Sequence, residues 1–286
     1  MVKEMLDPDH DPFWKNADRA LFLARRDGRT VGRIAAIENR RHWNADAANW
    51  VASGERSWAR SEPAWGIWGV PEAELGMFDG LEPGMRAIEL GCGTGYVSGW
   101  MARRGAVCTG VDVSEAQLAT ARRLAAEHGV ALTLHHGSAE TTPYADASFD
   151  FAISEYGAAI WCDPHVWLLE AHRLLVPGGR LAFLGHHPLA TVCSPWDGAP
   201  VGETLVRPYF DLHRTDWTQV AIDPGGIEFT LPVERWFALF RSIGFEVLDV
   251  REPRPSADHQ GQSFSVDADW AKRWPSELVW KLRKRG

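Results

Sequence analysis

The apolar residues of this chain follow two rhythms. Short apolar runs at 87–90, 107–113, 131–135, 148–157 (with the loop that ends it), 180–184, 245–250 and 278–282 are bounded by glycine, proline or charged residues. Such runs read as buried strands. Between them, apolar positions recur at helical spacing, as in Val97, Trp100 and Met101, or Leu118, Ala121 and Leu124, and again over 161–175 and 233–243. Ser114 with Gln117 three residues on has the form of a capping box, and Gly129 and Gly244 stand where two helices would stop. Strands alternating with helices predict an α/β fold.

The two ends of this pattern differ from its middle. In 1–38, Leu21–Arg26 and Arg29–Ala35 flank Asp27-Gly28, a strong two-residue turn signal, so an N-terminal extension with a β-hairpin is expected. The segment, D-P-F-W followed by F-L-A-R-R-D-G-R-T-V-G-R-I-A-A-I, resembles one hairpin of GNAT-type acyltransferases. It lacks that family's acyl-CoA pyrophosphate loop, so no acetyl transfer is implied. Residues 39–80 read as a lid of short amphipathic helices, with Trp43, Ala47 and Trp50 at helical spacing and an aromatic loop at 65–71. Residues 186–232 read as a cap insertion, with strand-like 218–222 and 227–231 around the turn Asp223-Pro224-Gly225-Gly226. Lid and cap both belong to one domain expected over 39–286.

Chemistry enters at Glu89-Leu90-Gly91-Cys92-Gly93-Thr94-Gly95-Tyr96. The glycines permit positive φ and close approach of a ligand to the backbone. The helix that follows directs its free N–H groups above the turn. The spacing is G-x-G-x-G after an acid, unlike the G-x-G-x-x-G of dinucleotide binders. Asp112 ends the next strand, about twenty residues on, where an acid can hold ribose hydroxyls. E-L-G-C-G-T-G-Y together with G-V-D-V-S closely resembles class I S-adenosylmethionine-dependent methyltransferases, and the resemblance runs from about Asn39 to the C-terminus. It implies a Rossmann-like, seven-stranded, mostly parallel sheet with helices on both faces and the last strand antiparallel. It also implies S-adenosylmethionine as cofactor and S-adenosylhomocysteine as product.

Carried onto this sequence, the resemblance has Glu89, Gly91, Cys92, Gly93 and Gly95 shape the methionine pocket. Asp112 and Val113 hold the ribose, and Ser138, Ala139 and Glu140 border the adenine. Ser154 closes the fourth strand beside the cofactor, and Trp43 or Trp68 lines its methionine end. The family often has an acid where Ser138 stands, which shifts the adenine contact toward the Ala139 backbone or Glu140. For the tryptophans, core packing is an equal alternative.

Glu155, Tyr156, His186 and His187 stand at the carboxyl ends of the fourth and fifth strands, where open α/β sheets bind ligands. Any of the four is a candidate base, because histidine is neutral enough near pH 7 to take a hydroxyl proton. The loop after the fourth strand is neither N-P-P-Y nor D-P-P-Y, and Glu155 has no paired glutamate. A small-molecule acceptor is therefore favoured, with oxygen marginally ahead of nitrogen and carbon. Two rivals rest on the same residues: a protein that binds the cofactor without transfer, and another transfer reaction such as aminopropyl transfer.

Composition narrows the partners. Net charge is −8 in 286 residues, which argues against a nucleic acid partner. No apolar span is long enough for a bilayer, and the acidic N-terminus lacks a signal peptide pattern, so a cytoplasmic protein is expected. Cys92, Cys108, Cys162 and Cys193 lack metal-ligand spacing, and adjacent histidines point apart on an extended chain, so no metal site is expected. Monomer and homodimer both remain open. The 15 tryptophans are many for this length and suit either helix packing or an aromatic wall over an acceptor.

Overall fold

The computed structural model describes residues 29–286 apart from Asp223. Its centre is a seven-stranded sheet of β1 (Arg86–Leu90), β2 (Val107–Asp112), β3 (Thr133–His136), β4 (Phe149–Glu155), β5 (Leu175–His186), β6 (Phe245–Arg251) and β7 (Glu277–Lys284). The order across the sheet is β6-β7-β5-β4-β1-β2-β3. Pairs among β1 to β5 are parallel, and β7 runs antiparallel between β5 and β6. This is the Rossmann-like sheet expected from the sequence. The chain winds outward from β1 through β2 to β3, then returns to β4 on the other side of β1. The carboxyl ends of β1 and β4 therefore open a crevice where the winding reverses.

Alternation along the strands feeds two helical layers. In β1, Ile88 and Leu90 join the cluster of Trp167, Phe183 and Phe240, while Ala87 joins that of Trp100, Met101 and Phe151. All are essentially solvent-free, as a strand covered on both faces requires. Helix α1 (Arg29–Trp58) and the helices α2 (Tyr96–Arg103), α3 (Glu115–Glu127), α4 (Pro164–Leu174) and α5 (Val233–Ile243) supply the layers. Ser114 caps α3 by accepting the Gln117 amide, and Gly244 ends α5 at φ 105°. Among the described residues no helix is long and apolar enough to cross a membrane.

Three expectations need correction. First, Arg29–Ala35 is not a second hairpin strand but the start of the 30-residue α1, while Leu21–Gly28 lies outside the described residues. Helical phasing prevails there because Ala35, Asn39 and Ala47 are buried along one helix. Asn39 donates to Trp161 O and Ile227 O and accepts the Ile227 amide, at 2.7–2.9 Å. Second, the strand paired with Ile227–Phe229 is Arg214–Asp216, not 218–222. Asp216 accepts the Thr218 amide and hydroxyl (3.1 and 2.7 Å), which turns the chain out of the ladder before Thr218. Third, 161–175 is not one helix. Ala158–Trp161 and α4 are separated at Asp163, which caps α4 ahead of Pro164.

Candidate active site

A cavity of about 750 Å³ opens over the carboxyl ends of β1, β2, β4 and β5, roofed by α1 and the cap. Its floor is the glycine turn. Gly91 has φ 79°, and a Cβ there would sit 2.6 Å from Gly157 Cα and Ala158 N, so the β1 and β4 turns meet backbone to backbone. Gly93 has φ 50°, and a Cβ there would meet nothing within 4 Å. It would project into open space at the cavity wall, the cradle a ligand needs. Gly95, at φ 75°, leads into α2 and does not line the cavity. Trp58 Nε1 donates to Thr94 O at 2.9 Å and ties the end of α1 to this turn.

Two acids frame the turn. Asp112 accepts the Gly93 amide at 2.7 Å and the Ser114 amide at 2.8 Å. Its carboxyl nevertheless lies above the usual range because burial outweighs those bonds. Glu89 accepts the Ser98 amide and hydroxyl at 2.8 and 2.5 Å, and burial pushes its pKa up to about 8. Both line the cavity, with Cys92 and Val113 beside them. Ser138 and Ala139 line the adjoining end.

Two residues expected at the cofactor are turned away. Glu140 Oε1 accepts the Asp163 amide at 2.9 Å, and its carboxyl is outside the cavity. Ser154 is buried between Leu90 O (2.7 Å) and the Ala159 amide (3.1 Å), fastening β4 to β1. Neither forms part of the cavity wall, because local backbone donors and acceptors have already claimed both side chains.

The other half of the cavity is built from side chains. Glu155 accepts the Gly66 amide at 3.0 Å and the Tyr96 hydroxyl. Tyr156 adopts φ 51°, rare for a tyrosine, and its hydroxyl donates to Glu277 at 2.7 Å. Glu277, buried and outside the cavity wall, also accepts the Ile67 amide at 2.8 Å, and burial pushes its pKa up to about 7. His186 lies edge-on to Tyr156, ring centroids 5.1 Å apart, with Nε2 3.5 Å from Glu228 Oε1. Burial pulls this imidazole down, yet Glu228 and Glu277 leave it above its ordinary value. Glu228 is itself oriented by Trp217 Nε1 at 2.9 Å.

His187 points away, as neighbours on an extended chain must. Its Nδ1 accepts the Leu189 amide at 3.0 Å, capping a short helix (Pro188–Cys193), and Nε2 meets Glu252 at 3.2 Å. It is not in the cavity wall.

Trp43 and Trp68 both reach the cavity. Trp43 packs edge-on against Trp50 and Trp161, centroids 5.4 and 5.0 Å away. Trp68 is pinned by its Nε1 bond to Ser276 at 2.8 Å. Sequence reasoning missed Tyr96, Trp161, Glu228 and Glu277. Only Tyr96 carried a signal, its place directly after the last glycine.

A family model described as "Methyltransferase domain" matches residues 88–183. A ubiquinone biosynthesis O-methyltransferase of Pseudomonas aeruginosa is 31% identical over 177 residues, 60% of this chain and 76% of that protein. One from Maricaulis maris is 40% identical over 99 residues, 34% of this chain and 39% of that protein's length. A solved S-adenosylmethionine-dependent methyltransferase from Mesorhizobium loti matches with TM-score 0.58 at 26% identity, over 77% of this chain and 100% of that one. The open cradle at Gly93 and the buried acid at Asp112 fit that family's cofactor, S-adenosylmethionine. The chain belongs to the class I S-adenosylmethionine-dependent methyltransferases.

Proposed function

We propose that this protein transfers a methyl group to a hydroxyl oxygen of a small-molecule acceptor, with His186 as base. When bound, S-adenosylmethionine supplies an electrophilic methyl carbon on a sulfonium centre. The chain's own part is to align the acceptor and move one proton. Asp112 would hold the ribose hydroxyls, its carboxylate fixed by two amides. The Gly91–Gly93 backbone would face the methionine end, with Glu89 behind it, and Ser138 and Ala139 would face the adenine. Trp43, Trp50 and Trp161 would cover the acceptor and exclude water.

The observation that carries the choice of oxygen is the His186–Glu228 pair. With Nε2–H turned toward Glu228, the lone pair resides on Nδ1, which would take the acceptor hydroxyl proton. Glu228 would orient the ring and stabilise the imidazolium, as carboxylates do for catalytic histidines. The O-methyltransferase names of the relatives agree with this reading.

Calorimetric titration with S-adenosylhomocysteine, beside an Asp112→Ala variant, tests the cofactor half. Micromolar binding that weakens roughly tenfold or more in the variant, about 1.4 kcal/mol, is expected. Transfer of labelled methyl to a panel of phenols, enols and amines then tests the acceptor half. Turnover of amines alone would sink the oxygen assignment, and methylthioadenosine as product would replace methyl transfer with aminopropyl transfer.

A further inference from the structure

Just after Trp161 and Cys162 in the chain, and outside the cavity wall, three side chains converge. Asp163 closes the break before α4, His165 stands in the first turn of α4, and His213 comes from the cap, fifty residues on. His165 Nδ1 and His213 Nε2 each lie 3.2 Å from the same oxygen, Asp163 Oδ1. The three candidate ligand atoms lie within 4.8 Å of one another. The imidazoles meet nearly edge-on, centroids 5.3 Å apart at 77°.

One carboxylate oxygen gathers the whole arrangement. Asp163 Oδ1 already accepts the His165 amide at 2.9 Å. Both ring contacts, at 3.2 Å, stand at the long end of the range for N–H···O hydrogen bonds. They are close, however, to the edge of a coordination tetrahedron, since ligand atoms about 2.0 Å from a zinc-like ion lie roughly 3.3 Å apart. Two imidazoles and one carboxylate form a donor set suited to zinc, cobalt or nickel rather than to magnesium or calcium. His165 and His213 are 55% and 36% exposed at the side chain, against 1% for Asp163. An ion would thus bind from solvent, with the carboxylate behind it and water completing the shell.

Supporting bonds hold the ligands in place. Glu140 fixes the Asp163 amide. His213 O accepts the Thr230 amide at 3.1 Å, which joins this ligand to the strand Ile227–Phe229. Such outer contacts are what set ligand orientation in metal sites. We propose that Asp163, His165 and His213 form a binding site for a divalent transition-metal ion that fastens the cap to the core. The strand that His213 leads into pairs with the one carrying Glu228, so the ion would stiffen the wall that holds Glu228 beside His186. This differs from the expectation that the chain has no metal site, because His213 lies fifty residues from Asp163 and joins it only through the fold.

The test is titration of untagged, chelator-treated protein with Co²⁺, read by visible absorption, beside His165→Ala and His213→Ala. The native chain should take up one equivalent, with the intense bands of a four- or five-coordinate nitrogen and oxygen site. Each variant should weaken binding roughly tenfold or more. Zn²⁺ should raise the thermal midpoint of the native chain and leave that of His165→Ala unchanged. His165 is more than half exposed, so its variant keeps the test decisive should His213→Ala unfold the cap. Only the spectrum of hydrated Co²⁺, or equal uptake by native and His165→Ala protein, would overturn the site.

Discussion

The two halves of the cavity are built in opposite ways. The half proposed for the cofactor is almost all backbone: Gly91 and Gly93 come from one turn, their amides bonded to Val111 O and to Asp112, and Asp112 arrives one strand later. The half proposed for the acceptor is almost all side chain. Glu155 ends β4 and Tyr156 follows it, His186 ends β5, Glu228 comes from the cap, and Glu277 of β7, itself outside the cavity wall, holds the Tyr156 hydroxyl and the Ile67 amide. A backbone-built site has few solutions and recurs with the fold. A side-chain site can be rewritten residue by residue, which lets one fold serve many acceptors.

If the division is real, one variant should abolish chemistry and spare binding. His186→Ala is expected to lower kcat about 10²–10⁴-fold, the usual contribution of a positioned base. Affinity for S-adenosylhomocysteine, measured by calorimetry, should stay within about twofold, because the ring lies outside the glycine turn. A kcat that falls less than tenfold would move the base to Tyr156 or Glu155, or leave transfer to alignment alone.

The converse variant attacks the backbone half. Gly91→Ala puts a Cβ 2.6 Å from the Gly157–Ala158 backbone at φ 79°. Strain in the left-handed region alone costs about 1–3 kcal/mol, and neither backbone can yield as a flexible side chain could. Chemical denaturation should show a loss of at least about 2 kcal/mol, together with weakened S-adenosylhomocysteine binding. Full stability in this variant would mean that the β1 and β4 turns are not locked together.

The same contrast explains what could be read in advance. The strands, α2, α3 and α5, the glycine turn and Asp112 were legible because each is specified within about twenty residues by period, caps and turn chemistry. Glu228 and Glu277 were not, because their role depends on residues more than forty positions away. Glu140 and Ser154 looked available in sequence, but bonds to Asp163 N and Leu90 O, invisible to local patterns, had already claimed them. In α1, the Asp-Gly turn signal suggested two strands. Burial of Asn39 against Ile227, 188 residues away, shows how tertiary contact selects the helix instead.

A smaller effect probes the acceptor half without dismantling it. Glu228→Gln keeps the size of the side chain and can still accept from Trp217, but removes the charge facing His186. The sign follows from the balance at that ring. Burial lowers the imidazole pKa, Glu228 raises it by charge and hydrogen bond, and Glu277 raises it further, for a net rise. With the Glu228 charge gone, burial and Glu277 remain, so the pKa falls. His186 must be neutral to accept a proton, so activity appears as pH rises through its pKa, and in the variant this acid limb should move to lower pH. The plateau kcat should drop as well, because a less basic imidazole transfers the proton with less driving force. The pH dependence of kcat with saturating cofactor measures both. An acid limb that stays in place would show that the group titrating there is not His186.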